Sequence, residues 1–370
     1  MEKITKSPRN YGIDLLRIVS MFMVVVIHII NNGAMPETDG VIQPRYYPVY
    51  ILGLMVVCAV NCYALVSGYV GYGRKIKYTN LAVLWLRVLW YSVLITVVFY
   101  IFVYKNFNIF EIIPSFFPVI KQTYWYFTSY FLMFIFTPLM NIALENMNRT
   151  QLRVLIYSIM FLVSVYPLLM IIFNISDPFK LSKGYSAWWL AFLYIIGGYI
   201  RKYDIFSHTK QAKALISYLA FVIGAFLFKF LFEYVLNNIL GLGIKLDFMS
   251  EYTPIFAVGT AVSLLVFFKN LKIKEGFTKI ISFVSSLVFS VYLIHTNHTI
   301  FNRYIVNKLI FLSQMPMWKE IPCILGLALA IFVACIIIDI PREYLFKKLK
   351  LKERIYKIEE KITAKIKSDD

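Results

Sequence analysis

The chain has 370 residues, of which 60% are hydrophobic and 18% are aromatic, and its mean hydropathy is +0.69. A water-soluble domain cannot bury so much apolar surface, whereas lipid can cover it, so the composition excludes a soluble globular protein. A net charge of +18 would be typical of a nucleic-acid-binding protein if the chain were soluble. The distribution of the basic residues favours a membrane topology instead, and we expect membrane lipids and no nucleic acid as partners.

Apolar runs of membrane-spanning length recur along most of the chain. A bilayer core about 30 Å thick requires about 20 apolar residues in each helix that crosses it. The runs predict an all-α polytopic membrane protein with about ten transmembrane helices, at residues 12–31, 48–70, 81–104, 124–143, 153–174, 186–200, 212–232, 252–269, 279–301 and 321–341. The sixth run is short, with Gly184 just before it and Gly197 and Gly198 near its end. The first run contains Asp14 and Arg17 and is followed by many more spans, so it predicts a retained helix rather than a signal peptide.

The loop charges predict an orientation, because cytoplasmic loops carry an excess of Lys and Arg. With the N-terminus inside, the inner segments and the C-terminal tail hold 26 of the 38 Lys and Arg residues, whereas the outer loops hold nine. When the tail is left out of the count, the inner segments hold 16 Lys and Arg residues and the outer loops hold nine. We therefore expect an even number of spans with both termini in the cytoplasm.

The chain divides into a transmembrane domain, residues 1–341, and a basic cytoplasmic tail, residues 342–370. Apolar residues recur in the tail at roughly helical spacing, at Leu345, Leu349, Ile355, Ile358, Ile362 and Ile366. This pattern predicts an amphipathic helix on the surface of anionic lipid, with a coiled-coil segment as the alternative. The outer loop 105–123, which contains Pro114 and Pro118, is predicted to lie in the membrane interface or to re-enter the membrane, where it could roof a cavity.

Ionisable residues inside spans are costly in lipid and by default face a protein interior or an aqueous cavity. The first span contains Arg17 and His28, eleven positions apart. At 100° per residue this spacing places both on one helix face, about 16 Å apart along the axis. In the predicted orientation Arg17 lies in the cytoplasmic half and His28 in the outer half. The alternative is a snorkelling arginine and a hydrogen-bonded structural histidine.

Three of the four histidines are predicted at similar depth on the outer side, because the ninth span ends with His295 and His298. A zinc site formed by these two and His28 is conceivable, but no carboxylate or thiol stands at a suitable depth to complete it. The cysteines, Cys58 and Cys62 among them, lie within apolar runs and are expected to act as small buried hydrophobes. We expect no metal.

Two further segments combine residues that suit ligand binding. The fourth span begins with Tyr124, Trp125 and Tyr126, which are typical of an aromatic belt at the interface but could also stack against a sugar ring. The second span ends at Ser67, with Arg74 shortly after it. This is either an ordinary positive-inside loop or a small-residue turn whose cations hold a phosphorylated cofactor.

These segments together resemble the acyltransferase 3 family of bacterial integral membrane O-acyltransferases. Arg17 and His28 fit the R-x10-H signature of that family on the first helix. The resemblance continues through LVSGY at residues 65–69, YWYFTSYFLMFIFTPLM at residues 124–140 and SVYLIH at residues 290–295. It covers nearly the whole chain, in the expected order and with a similar number of helices.

The resemblance implies an acyl-coenzyme A-dependent O-acetyltransferase in the bacterial cytoplasmic membrane, which transfers an acetyl or other short acyl group to a cell-surface or capsular glycan. It implies acetyl-CoA as cosubstrate, His28 and His295 as catalytic residues, and Tyr124, Trp125 and Tyr126 on the acceptor side. The coenzyme would lie near Arg17, Ser67, Arg74 and Arg87.

The chain departs from the family pattern in two ways. Many members carry an R-x-x-R motif after the second helix, whereas this chain has Arg74, Lys75 and Lys77, with Arg87 further on. Some members also carry an extracytoplasmic SGNH esterase-like domain, for which this sequence contains no segment, so we expect transfer within the membrane domain or on a separate protein.

Two other functions fit a polytopic membrane protein with a polar stripe. A glycan transporter or flippase would use the stripe to line a path, and a glycan polymerase is the third possibility. Long charged outer loops would favour a polymerase, whereas broken helices or inverted repeats would favour a transporter. The sequence indicates neither feature. The glycan acceptor and the oligomeric state are left open.

Overall fold

The structure is a computed structural model, and it describes residues 9–36, 44–105, 109–173, 175, 181–247 and 251–369. Within these ranges the chain is almost wholly helical and contains no β-strand, so the predicted all-α class is confirmed. Lys3, Lys6 and Lys180, which enter the charge count, lie outside the described residues. The placement of both termini in the cytoplasm stays a prediction.

Fifteen α-helices follow one another in the described residues. They are α1 (Tyr11–Ile29), α2 (Tyr46–Val56), α3 (Ala59–Gly71), α4 (Tyr78–Val98), α5 (Ile109–Ile112), α6 (Trp125–Ile135), α7 (Thr137–Asn146), α8 (Arg149–Phe173), α9 (Ala187–Lys202), α10 (Gln211–Tyr234), α11 (Ile255–Lys269), α12 (Glu275–His295), α13 (His298–Tyr304), α14 (Met317–Lys348) and α15 (Leu351–Asp369). Single π-helical turns extend α1, α4 and α10 at their C-terminal ends.

Each of the ten predicted runs overlaps at least one of these helices. In the part of the chain that the structure describes, seven helical segments are long and apolar enough to cross a membrane, and the bent pair α6–α7 would make an eighth. Helices α9 and α11 have 16 and 15 residues, so each is only about 22–24 Å long and does not fill a bilayer core. The multi-pass membrane architecture is thus confirmed, with two short helices inside the bundle.

The fourth span is broken, which the sequence analysis did not predict. Helices α6 and α7 meet at Phe136 with a bend of 54°. Pro138 lies in the first turn of α7, where its ring nitrogen has no hydrogen to donate to the preceding turn. This proline was the local signal for the bend.

Helix α1 lies at the centre of the bundle and packs against α3, α11, α12 and α14. A second close contact joins α3 to α9 through small residues. A Cβ atom on Gly68 would overlap the Tyr194 carbonyl, and one on Gly197 would overlap the Leu65 carbonyl. Glycine at both positions therefore allows the two helix backbones to touch, and this contact fixes α3 against α9.

Buried charges connect α14 to α4. The Arg342 guanidinium donates two hydrogen bonds to Asp339, at 2.7 and 2.6 Å, and the Tyr91 hydroxyl donates to the same carboxylate at 2.6 Å. Asp339 and Arg342 are 0% and 2% exposed, so their mutual pairing offsets the cost of burying either charge. Helix α14 continues to Lys348, and the predicted boundary between residues 341 and 342 falls inside it.

The tail helix α15 packs against the N-terminal end of α4. The Glu359 carboxylate accepts hydrogen bonds from the amides of Tyr78 (2.8 Å) and Thr79 (3.0 Å) and from the Thr79 hydroxyl. The first amides of a helix have no partner within the helix, so a carboxylate there satisfies them and the helix dipole favours its charge. The Lys77 ammonium lies 4.6 Å from the centre of the Tyr356 ring. The apolar side chains of Ile358, Ile362 and Ile366 remain exposed, and the lipid contact of the tail stays a prediction.

Protonation of Glu359 is expected to release the tail. Partial burial raises the pKa of this carboxyl, but the Thr79 hydroxyl, the two amides and Lys77 outweigh that effect and hold the pKa below its usual value. The contribution of this contact to stability is therefore fully present above the usual carboxyl pKa and is lost as the pH falls through the lowered value. Limited proteolysis of α15 in lipid nanodiscs should accelerate at acidic pH.

The variant Glu359→Gln should show the same accelerated cleavage at neutral pH, whereas Glu353→Gln on an exposed part of α15 should behave as wild type. Equal protection of the tail in both variants would contradict the capping role.

Candidate active site

The site begins with α1, whose start is set by a side-chain cap. The Asn10 side-chain oxygen accepts a hydrogen bond from the Ile13 amide at 3.2 Å, which is a typical N-cap contact. From there the helix runs unbroken past Arg17 to His28, so the two residues share one rigid element. Helix α12 ends at His295 and packs along α1.

His28 and His295 are in direct contact. The Nδ1 atom of His28 lies 3.0 Å from the Nε2 atom of His295, and the ring centroids are 5.2 Å apart. The Nδ1 atom of His295 lies 2.5 Å from the Val291 carbonyl oxygen, one turn earlier in α12. His295 is 2% exposed. The structure therefore brings together the two residues that the sequence analysis named as catalytic.

The Val291 carbonyl determines which nitrogen atoms carry hydrogen when both rings are neutral. A carbonyl oxygen only accepts, so Nδ1 of His295 must be the donor and its Nε2 atom must carry a lone pair. The His28 Nδ1–H then donates to that lone pair, and the Nε2 atom of His28 is left as an acceptor. This relay prepares His28 Nε2 to take a proton from a substrate hydroxyl.

His298 does not join this pair. It begins α13, is exposed, and its ring nitrogens lie 3.1 and 3.2 Å from the side-chain amide of Asn302. No group of three His, Cys, Asp or Glu side chains suited to a metal ion is found among the residues that the structure describes.

His28 borders a narrow cavity between α1, α3, α6 and α12. Four tyrosines, Tyr63, Tyr126, Tyr252 and Tyr292, line it together with apolar side chains. Its volume is about 30 Å³, which is enough for about two water molecules. An acyl chain would have to widen this space to reach His28.

The three aromatic residues of the predicted acceptor side occupy different positions. The buried Tyr124 donates its hydroxyl hydrogen to the Leu293 carbonyl at 3.0 Å and accepts a hydrogen bond from Asn297 at 3.0 Å. Trp125 and Tyr126 line the cavity, and the Tyr126 amide donates to the Tyr292 hydroxyl at 3.2 Å. Tyr124 thus holds the end of α12 in place, whereas the other two border the space beside His28.

An aromatic cluster closes one side of the cavity. The Trp125 ring lies 4.5 Å from Tyr185 and 5.9 Å from Tyr252, centre to centre. An ion pair of 3.3 Å between Lys183 and Glu251 connects the two loops that carry these tyrosines. Burial raises the pKa of Glu251, and the neighbouring Lys183 opposes that rise.

The other end of α1 carries Arg17, whose side chain is 32% exposed and pairs with the buried Asp14 at 2.9 Å. The Tyr63 hydroxyl donates to the Arg17 carbonyl at 2.7 Å, and the Ser67 hydroxyl donates to the Tyr63 carbonyl at 2.9 Å. Tyr63 therefore both contacts the backbone of Arg17 and lines the cavity beside His28.

The remaining predicted coenzyme residues are separated from one another. Arg74 is exposed in the loop after α3. Arg87 donates to the Ser286 carbonyl at 3.0 Å and lies 3.6 Å from Glu343, so it belongs to the contact of α4 with α12 and α14. The structure therefore gathers Arg17 with Ser67 and places Arg87 elsewhere.

The sequence analysis missed several residues of this region. Tyr63 and Tyr292 border the cavity, but their spacing in the sequence does not predict that they lie together. Tyr292 does stand within the SVYLIH segment. Arg201 and Lys269 approach the Tyr69 ring to 5.4 and 6.0 Å from α9 and α11. The position of Arg201 and Lys269 near the ends of their helices was the sequence feature that could have indicated them.

The family model of the acyltransferase 3 domain, described as an acyltransferase domain, matches residues 10–340 of the 370. The chain belongs to this family. It is therefore a multi-pass membrane acyltransferase, and the resemblance inferred from the sequence is confirmed. Comparisons with curated proteins and with solved structures gave no match. The match ends before α15, so the acyltransferase 3 region is the helix bundle that contains the histidine pair.

Loss of the His295 ring should slow acyl transfer only through its effect on His28. In His295→Ala the His28 Nδ1–H loses its acceptor, and we expect kcat to fall by about 10²-fold, the lower range of a general-base contribution. The KM for the acyl donor should stay near the wild-type value. Glutamine can place a carboxamide oxygen near the Nε2 position, so His295→Gln should recover part of kcat. Steady-state kinetics of the three proteins test this, and equal activity of His295→Ala and wild type would contradict the relay.

Proposed function

We propose that this protein is an acetyl-CoA-dependent O-acetyltransferase of the bacterial cytoplasmic membrane, whose acceptor is a hydroxyl group of a cell-surface or capsular glycan. The observation that carries the proposal is the contact from His28 through His295 to the Val291 carbonyl. Within a family of acyltransferases, this contact provides a base at the border of a cavity.

The proposed reaction uses His28 as general base. The acceptor O–H gives its proton to His28 Nε2, and the oxygen attacks the carbonyl carbon of the thioester. The C–S bond breaks, and the leaving coenzyme sulfur takes the proton from His28, so an ester and free coenzyme A are formed. In the charged intermediate, the His28 Nδ1–H bond to His295 becomes charge-assisted and hence stronger. A short-lived acyl group on His28 is the alternative route.

The tyrosines around the cavity suit the second requirement of acyl transfer, stabilisation of the developing oxyanion. Tyr126 and Tyr292 line the same cavity as His28. Hydroxyl donors directed at the thioester oxygen in a water-poor cavity are worth more than they would be in water. We assign this role to one or both of them.

The donor is proposed to enter from the side of Arg17. Arg17 lies in the half of α1 that is opposite to His28, and Ser67 on α3 is linked to it through Tyr63. Arg201 and Lys269 flank Tyr69, two residues after Ser67. Cations of this kind bind phosphate groups. The pantetheine arm would extend along the Tyr63 surface to His28.

A transport function has one observation in its favour, the bent pair α6–α7, because broken helices occur at transporter binding sites. The family match favours acyl transfer. The two functions differ in one measurable product, since only the acyltransferase releases free coenzyme A.

The direct test is coenzyme A release by protein purified into phosphatidylcholine nanodiscs and supplied with acetyl-CoA. We expect wild type to release coenzyme A and His28→Ala to release it at least about 10²-fold more slowly, because water or acceptor then has no base. His208→Ala, which alters an exposed histidine outside the cavity, should match wild type. Thermal unfolding of each variant establishes that it is folded.

Coenzyme A release by His28→Ala at the wild-type rate would exclude the proposed base. In cells, deletion of the chain should remove ester groups from the surface polysaccharide, and unchanged ester content would exclude the proposed acceptor class.

A further inference from the structure

A second and much larger cavity lies on the other side of α13 from the histidine pair. Its volume is about 1160 Å³, at the upper end of the range for ligand sites. The walls are the C-terminal half of α4, the loop around Ser115 and residues 121–123, and α13 with its following loop. We call this space the outer cleft. The loop predicted from sequence to roof a cavity thus lines one.

The charged side chains that line the outer cleft are all basic. Lys121, Arg303 and Lys308 come from three separate segments, and each is exposed. No described carboxylate lines the cleft or forms an ion pair with any of the three. Basic residues brought together without a counter-ion attract an anionic ligand.

Aromatic and amide groups accompany these cations. Tyr104 and Tyr304 line the cleft with exposed rings, and the Arg303 guanidinium lies 5.9 Å from the centre of the Tyr304 ring. Asn297 and Asn302 supply side-chain amides. Aromatic faces pack against sugar rings, and amides and guanidinium groups bind their oxygens. The combination suits a sugar that carries acidic groups.

The outer cleft adjoins the catalytic pair through α13. The Phe301 ring lies edge-on to His28, with centroids 5.5 Å apart, while Asn302 and Arg303 on the same helix line the cleft. Asn297 also lines it and donates to the Tyr124 hydroxyl beside the end of α12. A ligand in the cleft would therefore be one side chain away from His28.

We propose that the outer cleft binds the acceptor through an anionic group, so that the glycan acylated by this protein carries carboxylate or phosphate near the reacting hydroxyl. The proposal rests on the acyltransferase function proposed above and names the chemical class of its acceptor. Lys121, Arg303 and Lys308 hold the anion, and Tyr104 and Tyr304 pack against the sugar. The reacting hydroxyl reaches His28 past Phe301.

Binding of matched oligosaccharides tests the proposal without requiring turnover. The probes are a galacturonic acid tetrasaccharide, its uncharged methyl ester, maltotetraose 1-phosphate and maltotetraose, each titrated against protein in phosphatidylcholine nanodiscs. Wild type should bind the acidic member of at least one pair about tenfold or more tightly than the neutral member, because a charge-assisted hydrogen bond is worth about one such factor. The preference should weaken as salt is raised. The first pair measures the preference for a carboxylate, and the second pair measures the preference for a phosphate.

The variant Arg303→Gln/Lys308→Gln should lose the charge preference and bind both members of each pair equally. Lys245→Gln, which removes an exposed lysine that does not line the cleft, should bind as wild type. Lys245→Gln should also release coenzyme A from acetyl-CoA in the absence of glycan as wild type does, since Lys245 lines neither the cleft nor the cavity beside His28.

Equal binding of charged and neutral probes by wild type, or failure to bind any of the four, would overturn the proposal. Retention of the full charge preference by the double variant would also overturn the proposal, because these cations would then serve another purpose such as contact with lipid head groups. Absence of coenzyme A release from wild type would instead count against the acyltransferase mechanism, so the two failures are distinguishable.

Discussion

Two imidazole rings in contact inside a helix bundle determine how the rest of this structure is arranged. His28 and His295 belong to helices that are distant in the chain, and their nitrogen atoms lie 3.0 Å apart. Lipid offers no hydrogen bonds, so each polar group on the inner face of α1 needs a partner from a neighbouring helix. The His295 ring on α12 contacts His28, and the Tyr63 hydroxyl on α3 donates to the Arg17 carbonyl. Within α1 itself, Arg17 pairs with Asp14.

The arrangement has two sides that differ in shape and in charge. On one side, His28 borders a narrow cavity lined by tyrosines, one of which, Tyr63, donates a hydrogen bond to the Arg17 carbonyl. On the other side, Phe301 separates the same ring from a wide basic cleft. The first space would have to widen to admit the thin acyl arm of a donor, whereas the second is wide enough for a bulky polar acceptor. In the proposed mechanism His28 is the base between the two spaces, so that neither substrate has to cross the whole membrane.

Hydropathy alone predicted the helical architecture, because lipid requires an apolar run for each crossing. Helical periodicity also predicted that Arg17 and His28 share a face, since a straight helix needs no information beyond spacing. The contact of His28 with His295 could not be predicted in this way, because it depends on how two helices 267 positions apart pack. The same limit applies to Arg87, which was predicted to lie near the coenzyme. Its neighbours, Ser286 and Glu343, come from distant helices and could not be foreseen from spacing. The capping of α4 by Glu359 joins positions 280 apart and has no local signal.

The central claim is that His28 and His295 act as one catalytic unit, and a double-mutant cycle tests it most directly. The rates of coenzyme A release would be measured for His28→Ala, His295→Ala and the double variant in nanodiscs, under single-turnover conditions that resolve slow residual activity. Residues that act as a unit are strongly non-additive. The account predicts that the double variant is no slower than His28→Ala, because His295 has no function once the base is absent. Losses that multiply in the double variant would show that the two histidines act independently and would contradict the relay.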